Sequence, residues 1–292
     1  MSTSLTREVN PMKGRFLTED RISAFKQYLI SEEKSDNTIE KYLRDVKAFA
    51  VFLEDREISK ELSIAYKQKL IDDGYAVRSI NSMLASINSL FSFFGRYDCK
   101  VKAIKQQRQI FCSEDKELTK AEYVRLLNAA KQKKNDRLNL IIQTICGTGI
   151  RVSELQFITV EAAKAGQATV NCKGKIRSVF IVKELKKKLL RYAKEKRITT
   201  GSIFITRSGK PISRTNIWRE MKVLCKDANV NPNKVFPHNL RHLFARTFYG
   251  LEKDIVKLAD ILGHSSINTT RIYIISTGDE HRRRMENMKL VI

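Results

Sequence analysis

Residues 237–273 read PHNLRHLFARTFYGLEKDIVKLADILGHSSINTTRIY. Three of the chain's four histidines fall in this stretch: His238, His242 and His264. On a helix, His238 and Arg241 stand at i,i+3, so they share one face and can reach one anion. Pro237 suits the first position of that helix, where its missing N–H is not needed. Residues 254–262 carry Ile255, Leu258 and Leu262 at helical spacing, and Gly263 is placed to close that helix in the left-handed conformation. The resulting turn leaves His264 at a helix end, pointing into the cleft that His238 and Arg241 line. Ser265 and Ser266 can cap a short further helix carrying Tyr273. The stretch therefore offers two imidazoles, a guanidinium and a phenol. A phosphodiester attacked by a tyrosine needs that set: a nucleophile, and positive donors for the non-bridging oxygens.

The composition agrees. The chain has 292 residues and a formal net charge of +23. Its lysines and arginines are spread along its length rather than gathered in a tail. A folded protein this basic meets a polyanion, with nucleic acid the first candidate. A large apolar share and clear helical periodicity exclude a disordered basic arm. No run of ~18 apolar residues occurs to span a membrane, and no apolar N-terminal segment reads as a signal peptide. Five scattered cysteines, with no C-x-x-C or Cys/His ligand spacing, fit a reducing cytoplasm and no structural zinc.

Four amphipathic helices are expected after a basic stretch of about 15 residues. The first starts at Thr18 with Ile22, Phe25 and Leu29 on one face. The second runs from Asp36 with Ile39, Leu43, Val46, Ala50 and Leu53 in line. The third covers residues 60–73, and the fourth carries Ile80, Leu84, Ile87, Phe91 and Phe94 up to Gly95. Helices of this length with short loops make a small bundle. Lys41, Arg44, Lys47, Lys67, Lys69 and Arg78 dot its faces; singly they are solvated charges, jointly a phosphate grip. Residues 101–116 read as a basic linker. Thr119 and Glu122 then form a capping box for a helix over residues 121–132.

In the second half, residues 136–146 form a helix apolar on most sides, running into Gly147-Thr148-Gly149-Ile150-Arg151-Val152-Ser153-Glu154. Arg151 either pairs with Glu154 or serves a ligand. Residues 168–172 and 178–182 read as two strands, joined by a turn with Lys173, Lys175 and Arg177. Three cations on one turn repel each other but suit a tip that touches DNA. A thinly solvated lysine there can act as an acid. A helix follows at 183–196, a short strand at 203–205, and a helix at 216–228 with Trp218 as a core anchor. The tail from residue 279 reads as a last helix, packed on its own domain or on a neighbouring subunit.

In order, G-T-G-I-R-V-S-E-L, the K-G-K hairpin, H-N-L-R-H, L-G-H and T-T-R-I-Y resemble the tyrosine recombinases, or phage-integrase family, most of all its compact Xer-like and transposon-borne members. The resemblance covers nearly the whole chain. It implies a mainly α fold with a small β component: a four-helix core-binding domain at residues 15–100, a linker at 101–116, and a mixed α/β catalytic domain at 117–292. It implies that Tyr273 attacks the scissile phosphate, giving a 3′-phosphotyrosine and a free 5′-hydroxyl. Arg151 and Arg241 would hold the non-bridging oxygens, His238 would take the tyrosine proton or hold the phosphate, and His264 would donate to the phosphate. A hairpin lysine would protonate the leaving 5′-oxygen. Here the hairpin is one residue shorter than the family's usual form, so Lys173 is the choice and Lys175 its rival. Lys175 and Arg177 would contact DNA, and His242 would pack beneath the site.

The resemblance also implies double-stranded DNA with specific sites as partner, a homo-tetramer on synapsed DNA, and neither metal nor cofactor. An accessory protein or partner recombinase is compatible with it, a membrane is not, and no further N-terminal arm-binding domain is expected. A type IB topoisomerase, relaxing supercoils without site choice, and a non-catalytic DNA-binding accessory factor are the rival readings.

Overall fold

The computed structural model describes residues 16–105, 116–172, 175–274, 282 and 285–288. The chain is mainly helical with one two-stranded sheet, and it divides into two compact units, Met1–Arg108 and Gln109–Ile292.

The first unit is built from α1 (Glu19–Ser31), α2 (Asp36–Leu53), α3 (Lys60–Asp72) and α4 (Val77–Phe93). Each contributes one apolar stripe to a common core that includes Phe25, Leu29, Val46, Phe49, Leu53, Leu70, Leu84 and Phe91. Phe49 anchors it, meeting Tyr66 edge-on at 5.0 Å and Phe91 at 5.9 Å between centroids. One expected surface cation is committed internally. Lys41 pairs with the buried Asp45 at 2.7 Å, and Asp45 also accepts from Ser86 at 2.8 Å. Residues 101–105, expected to begin a linker, instead lie along α4. The Asn88 side chain donates to the Val101 carbonyl at 2.8 Å and accepts from its N–H at 3.0 Å. Asn81 does the same for Ile104, at 3.0 and 2.7 Å. An amide that both donates and accepts satisfies an extended segment as a sheet neighbour would.

In the second unit, α5 (Lys120–Gln132) begins on the capping box of Thr119 and Glu122. Its neighbour α6 (Asp136–Thr148) is the central helix, packed by α5, α8 (Lys183–Glu195) and α10 (Pro237–Glu252). With these neighbours and α9 (Arg214–Ala228) around it, most of its surface is covered, so Leu138, Leu140, Ile141, Ile142 and Ile145 are all buried. After a 3-10 segment at Val152–Phe157 and α7 (Val160–Ala165), β1 (Gln167–Cys172) pairs antiparallel with β2 (Lys175–Phe180). The ladder runs from Gln167↔Phe180 to Cys172↔Lys175, so Lys175 and Arg177 belong to the strand rather than to a five-residue turn. Lys173 lies outside the described residues. The strand expected at 203–205 is replaced by isolated bridges, Thr159↔Ser202 and Ile205↔Pro211, because no second strand lies alongside to extend them among the described residues. The unit closes with α9 (Arg214–Ala228), α11 (Ile255–Leu262) and α12 (Ile267–Arg271). Of the expected tail helix, residues 282 and 285–288 alone are described, with Met285 and Met288 exposed.

Gly149 ends α6 at φ +65°. A Cβ there would lie 2.5 Å from Phe244 Cδ1 and 3.0 Å from Leu262 Cδ2. Backbone conformation and lack of space thus both demand glycine. Gly149→Ala is expected to destabilise the second unit by about 2 kcal/mol or more from the left-handed backbone and the clash. That lowers its melting temperature by roughly 4–8 °C in a calorimetric scan.

Candidate active site

The site grows from the first turn of α10. Phe236 is the N-cap and Pro237 the first helical residue, which aims His238 and Arg241 the same way. Arg241 is 1 % exposed. Its Nη1 donates to the carbonyl of Gly149, at the end of α6, and its Nη2 donates to Leu262 O at the end of α11 at 2.7 Å. Nη2 also lies 3.0 Å from His264 Nε2. Both terminal nitrogens of a buried guanidinium are thus answered by carbonyls that two helices leave unpaired at their C-termini, while its buried Nε has no partner among the described residues. Burial, and then the nearby Arg151, lower its pKa to about 10, which still leaves it cationic at neutral pH.

Gly263 caps α11 at φ +64°, and the next N–H, of His264, donates back to Ala259 O at 3.0 Å. The turn delivers the His264 ring against Arg241. A guanidinium has no acceptor, so Nε2 must accept from Arg241 and the ring proton is on Nδ1. Nδ1 lies 2.8 Å from Thr270 Oγ1 and donates to it. Burial, together with Arg241, Arg151, Arg177 and His238, pushes the His264 pKa down to about 4. Tyr273 follows α12 and is 6 % exposed. Its ring stacks on His242 at 4.2 Å and 28°, and lies 5.2 Å from His238 and 5.1 Å from His264. The Arg241 guanidinium carbon is 5.9 Å from its centroid.

Arg151, just beyond the Gly149 turn, pairs through Nη1 with Glu154 Oε1 at 2.9 Å and is 38 % exposed in its side chain. The pairing expected with Glu154 is present, and Nη2 also reaches Gly263 O at 3.5 Å, so the guanidinium is held on both edges while the side chain stays partly exposed. Glu154 is almost wholly buried and takes a second arginine, Arg177, whose Nη2 donates to Oε2 at 2.6 Å. Burial raises the Glu154 pKa, but the Arg151 N–H and the two guanidiniums outweigh it, and the carboxyl ends below its ordinary value. Arg177, expected to reach DNA from a hairpin tip, instead turns inward. Its Nη1 donates to Ile261 O at 2.8 Å, and its side chain fills the space over Gly263. The reason is register: Arg177 is paired with buried Val170 and shares a strand face with buried Val179. Lys175 opens β2 opposite Cys172, with its side chain outside the described residues.

Beneath the site, His242 Nδ1 faces Glu117 Oε1 at 4.0 Å, and Glu117 Oε2 pairs with Arg246 at 2.6 Å. Burial first, then His238, Arg246 and Arg241, bring the His242 pKa down to about 4. His238 is lowered too, by burial and by Arg241 and Arg151. Trp218 corrects an expectation. It is half-exposed rather than a core anchor, and it lines a cavity of about 410 Å³ with Val152, Phe236, Pro237 and His238. Glu117 and Arg246 join the site with no motif to announce them, and Thr270, inside T-T-R-I-Y, joins it through its hydroxyl. Among the described residues, no group of three His, Cys, Asp or Glu is arranged to hold a metal ion, and no helix is long and apolar enough to cross a membrane.

Residues 116–279 match the phage integrase family, and residues 22–96 match the N-terminal SAM-like domain of phage integrases. The chain is 30% identical over 289 residues to tyrosine recombinase XerA of Pyrococcus horikoshii, covering 96% of this chain and 98% of that one. Its fold is that of a lambda integrase (75–356) dimer bound to a COC′ core site, with a TM-score of 0.74 at 19% identity over 90% of this chain and 96% of that one. It is also that of a lambda integrase tetramer bound to a Holliday junction, with a TM-score of 0.70 at 20% identity over 87% and 76% of the two chains. The chain belongs to the phage integrase family, the site-specific DNA recombinases that act through a tyrosine.

His242 and His264 both have folded pKa values near 4, below the ordinary 6.5. Between those values the unfolded chain binds more protons than the folded one, so stability present above pH ~6.5 is lost as the pH falls toward 4. The melting temperature is expected to drop steadily between pH 7 and pH 5. His242→Gln, which cannot titrate, is expected to flatten that slope; an unchanged slope would show that His242 titrates normally.

Proposed function

We propose that this recombinase cuts and rejoins duplex DNA by a transesterification on Tyr273. The tyrosine oxygen attacks the scissile phosphorus. The bond to the 5′-oxygen breaks, leaving a 3′-phosphotyrosine and a 5′-hydroxyl. Arg151 and Arg241 hold the non-bridging oxygens and balance the charge that builds on them. His238 takes the tyrosine proton or steadies the phosphate, and His264 contacts a non-bridging oxygen. Lys173, with Lys175 as rival, protonates the leaving oxygen. The reverse reaction, with a 5′-hydroxyl from another strand, reseals DNA and returns the proton, so bond energy is conserved without a nucleotide cofactor.

The observation that carries this reading is convergence. His238 and Arg241 from the first turn of α10 and His264 from the end of α11 surround one nearly buried tyrosine, and Arg151 from the end of α6 is close enough to lower the pKa of both histidines and of Arg241. A tyrosine kept for packing alone has no need of a buried guanidinium beside three imidazoles, each of the four lowered in pKa. We assign DNA gripping to the first unit, with residues 101–105 joined to the expected 15–100, chemistry to residues 117–292, and linkage to the stretch between them. The working assembly is a homo-tetramer on two synapsed sites, with room for an accessory protein, in the cytoplasm where its DNA is found. The lambda integrase dimer and tetramer on DNA support that assembly by likeness of fold.

Incubation with nicked duplexes from the DNA flanking its own gene is expected to give an SDS-resistant protein–DNA adduct that Tyr273→Phe abolishes. An adduct surviving in that variant would remove Tyr273 from the role. The acid is identified by a substrate with sulfur at the bridging 5′ position, whose thiolate leaves without being protonated. Lys173→Ala is expected to cleave ordinary DNA at least ~100-fold more slowly and the sulfur substrate at nearly the normal rate. If Lys175→Ala shows that pattern instead, the roles are exchanged.

A further inference from the structure

Thr270 is wholly buried and touches both ends of the candidate chemistry. Its hydroxyl is 2.8 Å from His264 Nδ1, and its carbonyl accepts the N–H of Tyr273 at 2.9 Å. The other ring nitrogen of His264 accepts from Arg241 at 3.0 Å. In the free protein, then, His264 presents a lone pair, not a proton, on the side that would meet a phosphate. A phosphate oxygen only accepts. Once it replaces Arg241 at Nε2, that nitrogen must carry the ring proton, which leaves Nδ1 as a bare acceptor.

We propose that Thr270 is the positioning residue for His264, holding Nδ1 in both states because its hydroxyl can accept from Nδ1–H in the free protein and donate to Nδ1 when Nε2–H faces the phosphate. The proposal rests on the reading of His264 as a phosphate contact. The ring proton count is the same in both states; one proton leaves Nδ1 and one arrives at Nε2. A backbone carbonyl in the place of Thr270 would fix the Nδ1–H form, and a backbone N–H the other. A hydroxyl rotor serves each in turn without moving a heavy atom. Because the same residue fixes the Tyr273 N–H, the ring and the nucleophile are held from one point of α12.

The test compares single-turnover adduct formation on a nicked duplex by the wild type, Thr270→Val, Thr270→Ser, His264→Ala and the His264→Ala/Thr270→Val double variant. DNA binding and melting temperature are recorded for each. Valine keeps the shape and loses the hydroxyl; serine keeps the hydroxyl. Thr270→Val is expected to slow the reaction about 10-fold or more with DNA binding intact, Thr270→Ser to restore it to within about 3-fold, and the double variant to be no slower than His264→Ala. Equal slowing by serine and valine, or independent losses that multiply in the double variant, would overturn the proposal in favour of simple packing. If His264→Ala alone has no effect, the phosphate-contact reading fails, and the hydrogen bond is judged separately by ¹⁵N spectra of the ring. These are expected to show Nδ1 protonated in the free protein and Nε2 protonated in the Tyr273→Phe complex with DNA. A ring protonated at Nε2 in both would overturn the switch.

Discussion

Arg241 carries a full charge in a place that water hardly reaches, and the second unit is assembled so that this charge is answered. Removing one partner from a buried charge typically costs about 3–5 kcal/mol, so the ends of α6 and α11 cannot drift from α10 without penalty. The same contacts fix the site. Gly149 O, Leu262 O and His264 Nε2 are the guanidinium's partners, and the turns that present them carry Arg151 and His264. Stability and geometry thus depend on one side chain. Under the proposed function, a phosphate entering the cleft would meet one donor unpartnered among the described residues, Arg241 Nε, and would compete with protein acceptors for Nη1 and Nη2.

The charge balance around this guanidinium is one-sided. Arg151, Arg177 and Arg241 crowd together, and Glu154 pairs directly with two of them. The three histidines do not add to the positive charge, because burial and the arginines keep them neutral. Neutral imidazoles can relay or share protons where cations could only repel. The surplus positive charge lies in a partly dry cleft, with Arg151 as its open edge, and so is a standing field for a phosphodiester.

Much of this was legible in the chain. Pro237, Gly263 and the i,i+3 pair of His238 and Arg241 gave the helix ends and faces, because caps and periodicity act locally. Arg177 was misplaced for a definite reason. With β2 begun at Ser178, the alternation that puts Val179 inward was not carried back two residues to the arginine. Trp218 lies one position off the stripe of Ile217, Met221, Leu224 and Cys225, so the helical period already turned it from the core. Thr270 stands in the T-T-R-I-Y motif, but its bond to His264 was invisible because a hydroxyl's partner is set by tertiary approach. The bonds of Asn81 and Asn88 to residues 101–105 were hidden for the same reason.

One contact also bears on how the chain can change over time. An added Cβ at Gly263 would lie 2.4 Å from Arg177 Cδ, on a backbone already in the left-handed region. The two positions are far apart in sequence and form one steric unit. A descendant that first acquires a side chain at 263 loses the arginine's seat, and with it one of the two partners of Glu154. One that first shortens residue 177 leaves the carboxylate half-answered but opens the space. Divergence at this corner therefore has a preferred order, strand before turn, and either intermediate leaves Glu154 with one guanidinium fewer.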